Sequence, residues 1–122
     1  MKTVLVVDDS KIMRNIVKNS FSAMNIPCQF FEAGNGAEAL HVLSEQKVDI
    51  VFLDWNMPML SGLDFLKKIR GMDEYKKLPV VMITSEAAKY NVIEAVKHGV
   101  TAYLIKPVNQ AAFVKSVSSI KF

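Results

Sequence analysis

A single cysteine, Cys28, in 122 residues leaves no intramolecular disulfide to form. The only two histidines, His41 and His98, lie too far from it in the chain for any familiar zinc-ligand spacing. Cys28 therefore reads as a small residue packed in or near a strand. Four prolines and five glycines are too few for a disordered or fibrous chain, and 51% hydrophobic content points to a globular one. No charge of one sign dominates: 15 Lys and Arg face 12 Asp and Glu, and the lysines are scattered rather than gathered, so no nucleic-acid partner is expected. No apolar run approaches the ~18 residues of a membrane helix, and Met1-Lys2 leads straight into an apolar strand without a leader segment. The expectation is a cytoplasmic monomer with no membrane partner.

What is present is a regular alternation of strand and helix. Val4 to Val7 form a short β-branched run, after which Ile12, Ile16, Phe21 and Met24 recur at helical spacing. Gln29 to Phe31 make a weak second strand. Asn35-Gly-Ala-Glu38 has capping-box spacing and predicts a helix with Ala37, Leu40 and Leu43 inward. Val48 to Leu53 read as the strongest strand, and Ser61-Gly-Leu-Asp64 caps a helix burying Leu63, Leu66 and Ile69. Asp64 there is a helix-start residue. Pro79 to Ile83 predict a fourth strand, and Ala88, Val92, Ile93 and Val96 mark a helix stopping at Gly99. Tyr103 to Ile105 give a fifth strand, and Asn109 caps a last helix with Phe113, Val117 and Ile120 toward the core. Strands this apolar are usually covered on both faces, which predicts an α/β fold, a parallel sheet with right-handed crossovers and helices on either side. A chain of this length has room for one domain, residues 1–122.

Parallel strands deliver their C-terminal ends to one crevice, so the residues just after them share a site. Those residues are Asp8-Asp9, Asp54, Thr84-Ser85 and Lys106. Carboxylates about 4 Å apart repel by roughly 4 kcal/mol per pair at an effective dielectric near 20, so the cluster needs a cation, a shared proton or a lysine. Three carboxylates, one divalent cation and Lys106 come near neutrality and could receive a phosphoryl group. Mg²⁺ suits such a set, since it takes oxygen ligands and keeps some waters. Asp54 is then the candidate nucleophile, with Thr84 and Lys106 on the phosphoryl oxygens. A lone Asp, Thr or Lys after a strand is more often a turn or cap; the coincidence of all four is the signal.

Four motifs carry a resemblance to a known family: Val6-Val7-Asp8-Asp9-Ser10; Asp54-Trp55-Asn56-Met57-Pro58 with Gly62 behind it; Thr84-Ser85-Glu86; and Tyr103-Leu104-Ile105-Lys106-Pro107. Over essentially its whole length the chain resembles receiver domains of bacterial response regulators, and within them the stand-alone chemotaxis regulators. The resemblance implies a flavodoxin-like (βα)5 sandwich with strand order 2-1-3-4-5, which the residue pattern alone does not give. It implies that Asp54 accepts a phosphoryl group from a sensor histidine kinase, with no output domain attached and with self-catalysed phosphorylation and dephosphorylation. It implies Mg²⁺ on Asp9, Asp54 and the Asn56 carbonyl, with Asp8 helping through water. Thr84 and Tyr103 become the switch pair, Asn56 and Glu86 flank the water that ends the signal, and the Lys106-Pro107 peptide is expected to be cis. The output surface lies on the fourth helix, fifth strand and fifth helix, with Lys89, Tyr90, Tyr103, Ile105, Val108 and Ala112. The expected target is a downstream protein such as the flagellar motor switch. Trp55, beside Asp54, is expected to report Mg²⁺ by fluorescence.

Three other readings stand beside it. The domain could relay or merely store phosphate. A small Mg²⁺-dependent aspartyl phosphatase of the haloacid dehalogenase type would also use a strand-end Asp, but it resembles Asp-x-Asp after the first strand, whereas Asp8 and Asp9 are adjacent and no cap insertion exists. A flavodoxin-like cofactor binder would need a phosphate-cradling loop where this chain places two acids.

Overall fold

A computed structural model describes all 122 residues. Its elements run β1 (Lys2–Val7), α1 (Lys11–Ser22), β2 (Cys28–Ala33), α2 (Gly36–Glu45), β3 (Ile50–Leu53), α3 (Gly62–Arg70), β4 (Val80–Thr84), α4 (Lys89–Lys97), β5 (Ala102–Ile105) and α5 (Gln110–Ser118), with a 3-10 turn at Asp73–Tyr75. All strands pair in parallel in the order β2-β1-β3-β4-β5. The flavodoxin-like three-layer sandwich expected from the family is the fold observed.

Each face of the sheet has its own core, as a period-two strand dictates. Leu5, Val7, Val51, Leu53, Val80 and Met82 pack beneath α2 and α3. Val4, Val6, Ile50, Phe52, Val81 and Ile83 pack on the other face against Phe21, Phe113 and Val117 of α1 and α5. Phe52 stacks on Phe113 with ring centroids 5.3 Å apart. Strands buried on both sides cannot alternate with polar residues, which explains the unbroken apolar runs.

Local signals placed four helices. Ser10, Asn35, Ser61 and Asn109 each accept the backbone N–H three residues on, at 3.3, 2.9, 3.1 and 3.0 Å. Asn35 Nδ2 in turn donates to Glu38 Oε2 at 3.3 Å, a variant of the expected reciprocal cap. Ala88 gives α4 no such bond. β3 starts at Ile50, later than Val48, because the Asp49 carboxylate takes the Thr3 N–H at 2.7 Å just before the ladder begins. Cys28 opens β2, half-buried.

Several inward assignments need correction. Of the residues at helical spacing on α1, Phe21 is buried with Val17 and Ser20, while Ile12 and Ile16 are exposed. On α2 the inward alanine is Ala39, not Ala37, and on α3 Phe65 is buried while Leu63 is only half-buried. On α4, Ile93 and Val96 are 49% and 62% exposed, and Asn91 and Ala95 face the core. In each case the helical spacing is right and the face is rotated, because apolar residues occur on two sides of these helices.

Candidate functional site

The ends of β1, β3, β4 and β5 bring the expected acids, hydroxyl and lysine together. Carboxylate oxygens of Asp8, Asp9 and Asp54 all lie within 4.8 Å of one another. Asp8 and Asp54 are buried, while Asp9 is exposed at the mouth. Lys106 Nζ reaches Asp8 Oδ2 at 3.1 Å and Asp54 Oδ2 at 3.4 Å. The Lys106-Pro107 peptide is cis, as expected. Asp8 Oδ1 accepts the Ser10 N–H at 2.9 Å, so one carboxylate both lines the site and precedes the α1 cap. Asp54 Oδ1 is buried with no protein partner. An orphaned carboxylate oxygen among two further carboxylates fits a hard divalent cation, since a buried anion without a partner is costly.

Burial pushes the Asp8 carboxyl above its ordinary range; the Asp54 charge adds to this, and the Ser10 N–H and Lys106 oppose it. One lysine does not neutralise the acids. Tyr103 is likewise raised, first by burial and then by the charges of Glu86 and Asp54. Its ring packs against the α2–α3 core cluster and its hydroxyl donates to the Glu86 carbonyl.

Thr84 is fully buried at the end of β4, and its Oγ1 accepts the Glu86 N–H at 3.3 Å. Asn56 stands exposed after β3, with its Nδ2 donating to Glu86 Oε1 at 3.0 Å. Of the expected output residues, Lys89, Tyr90, Ile105 and Ala112 are exposed. Tyr103 and Val108 are half-buried and point inward, Val108 against the α1–α5 core. Ile93 and Val96 take the exposed places beside Tyr90 on α4.

Gly62 follows the Ser61 cap at the start of α3. A Cβ at Gly62 would lie 2.0 Å from the Asp54 carbonyl oxygen and 2.8 Å from its carbon, and the Gly62 N–H donates to the Trp55 carbonyl at 2.7 Å. Only glycine lets α3 start this close to the Asp54 backbone. The sequence signal was its fixed distance behind Asp54. Met59, in the same loop, sits at φ 70°, a left-handed conformation uncommon outside glycine.

A parallel five-stranded sheet with acids, a buried threonine and a lysine at its C-terminal edge defines a receiver-type phosphoryl site. The profile of the response regulator receiver domain matches residues 4–118, and the chain belongs to that family. Among curated relatives, the chemotaxis protein CheY-3 of Vibrio cholerae is 42% identical over 117 residues, covering 96% of this chain and 89% of that one. Chemotaxis protein CheY1 of Helicobacter pylori is 43% identical over 105 residues, covering 85% and 84%. Among solved structures, Vibrio cholerae CheY4 superposes with a TM-score of 0.88 at 30% identity, covering 99% of both chains. The Mn(2+)-bound form of response regulator Rcp1 gives 0.82 at 27%, covering 98% of this chain and 91% of that one. The protein is thus a regulatory receiver of the chemotaxis type. No helix is long and apolar enough to cross a membrane.

Proposed function

We propose that the protein is a cytoplasmic switch whose Asp54 takes a phosphoryl group from a histidine kinase of the chemotaxis type and then binds a downstream protein, the flagellar motor switch being the leading target. The observation that carries this is the asymmetry of Asp54: one oxygen is held by Lys106, the other is buried without a partner. The free carboxylate is poised to attack phosphorus, and the P–N bond of a phosphohistidine breaks with its electron pair leaving on the imidazole. Water attack on phosphorus later returns the carboxylate and inorganic phosphate.

Asp8, Asp9, Asp54 and the Asn56 carbonyl would hold Mg²⁺; a structural neighbour crystallised with Mn²⁺ supports a divalent site. When bound, the ion supplies positive charge against the carboxylates and the phosphoryl oxygens. Lys106, already between Asp8 and Asp54, pairs with one phosphoryl oxygen, and Thr84 donates a hydrogen bond from its hydroxyl to another. Pulling Thr84 toward the phosphate draws on the Glu86 N–H bonded to it, and through Glu86 on Tyr103. The exposed apolar residues of α4 beside Lys89 favour a protein output over a pure phosphate store.

Acetyl phosphate with Mg²⁺ should add one phosphoryl group, detected by intact mass, and Asp54→Asn should remove it. Addition to the variant at the wild-type rate would refute Asp54 as acceptor. Asn56→Arg should lengthen the phosphorylated state several-fold, since a bulky cation obstructs the attacking water. Beryllofluoride should raise affinity for flagellar switch protein; unchanged binding would leave the relay or sink role as the better reading.

A further inference from the structure

The inner face of α4 carries an asparagine where helical patterning calls for an apolar residue. Asn91 is only 8% exposed and shares that face with Ala95. A buried amide is tolerated only if its hydrogen bonds are made, and Asn91 Nδ2 donates to Glu86 Oε2 at 3.2 Å. The other carboxylate oxygen of Glu86 takes Asn56 Nδ2 at 3.0 Å. Glu86 is also fixed through its backbone, to Thr84 by its N–H and to Tyr103 by its carbonyl. One residue thus ties the acceptor loop, the end of β4, β5 and α4 together.

We propose that Asn91 is a positioning residue that sets the lifetime of the Asp54 acyl phosphate by holding the Glu86 carboxylate against Asn56. The inference rests on Asp54 being the phosphoacceptor. Asn56 is exposed, and an unrestrained side chain there samples several rotamers. With its Nδ2 committed to Glu86, the amide oxygen is the group left to accept from a water approaching Asp54. Holding that orientation ahead of the reaction speeds hydrolysis, and the hold originates in α4. The receiver's output helix therefore contributes to its own clock.

The test compares decay of the phosphorylated form in four proteins: wild type, Asn91→Ala, Glu86→Ala and the double variant. Asn91→Ala should slow decay about threefold, the size expected from one modest hydrogen bond, and should add nothing further in the Glu86→Ala background. Decay that is unchanged, faster, or slowed by the same factor in both backgrounds overturns the proposal, because a purely structural role would not depend on Glu86. A second readout needs no phosphate. In nitrogen-15 NMR spectra of the unphosphorylated protein, the Asn56 side-chain amide should move to a solvent-like position in Asn91→Ala, and an unmoved signal overturns the latch. If wild type takes no phosphoryl group from acetyl phosphate, the acceptor reading fails while the NMR comparison still decides whether the latch exists.

Discussion

α3 and α4 are both nine residues long and follow adjacent strands, yet they are held in opposite ways. α3 is capped by Ser61, buries Gly62, Phe65, Leu66 and Ile69, and ends with Arg70 donating to the carbonyls of Tyr75 and Gly99. α4 lacks a side-chain cap, buries only Asn91 and Ala95, and turns Tyr90, Ile93 and Val96 to solvent. The strands repeat the contrast: every residue of β3 is buried and none of β5 is. Few buried apolar contacts mark the low end of local stability. Asp54, the proposed acceptor, is thus mounted on the rigid side, and the proposed output elements lie on the loose side.

The contrast breaks most visibly by truncation. Phe65→Ala should cost about 3–5 kcal/mol of unfolding free energy by opening a core cavity, whereas Ile93→Ala on α4 should change it by less than about 0.5 kcal/mol. Urea midpoints decide it, and similar losses at both positions would remove the distinction. Gly62→Ala comes next. A methyl 2.0 Å from the Asp54 carbonyl must displace backbone, so about 1–3 kcal/mol is expected from overpacking, with slowed phosphorylation from acetyl phosphate. Retained stability with a normal rate would mean that the close approach is dispensable.

Asp8 sharpens the comparison from the other direction, because on the rigid side a functional group opposes stability. Its folded pKa is raised above the ordinary 3.8, so the native state holds a proton more tightly than the unfolded chain. Stability without divalent cation therefore falls as pH rises from about 4 through the raised value and stays lower above it. Asp8→Asn should flatten that fall and leave the cation-free protein more stable than wild type at neutral pH. Mg²⁺ should then stabilise the variant less than the wild type. A destabilised variant at neutral pH would show that Lys106 already compensates the charge.

The same contrast explains what was legible in the sequence. Strand ends ran into Asp8, Asp54, Thr84 and Lys106, and one apolar run per strand was enough to place them, because a doubly covered parallel sheet leaves no other pattern. The caps at Asn35, Ser61 and Asn109 were readable for the same local reason. Strand order came from family resemblance, since pairing between distant segments leaves no local mark. On α4 the apolar residues marked the helix but not its buried face, because exposed apolar residues have the same types as a core. Ile93 and Val96 look buried until the fold shows Asn91 and Ala95 on the inner face. The Glu86 hub was legible only in part: position linked Glu86 to Asn56, but nothing local linked it to Asn91, five residues on and buried. Gly62 was visible as a turn residue, while its approach to the Asp54 backbone depends on loop geometry.

The most direct measurement is amide hydrogen exchange of the protein in Mg²⁺, with and without beryllofluoride. Altered protection is expected in the segment after β4, in α4 and in β5, with α3 beyond its first turn unchanged, and no alteration in Asp54→Ala. Equal changes in α3 and α4, or the same changes in Asp54→Ala, would contradict this.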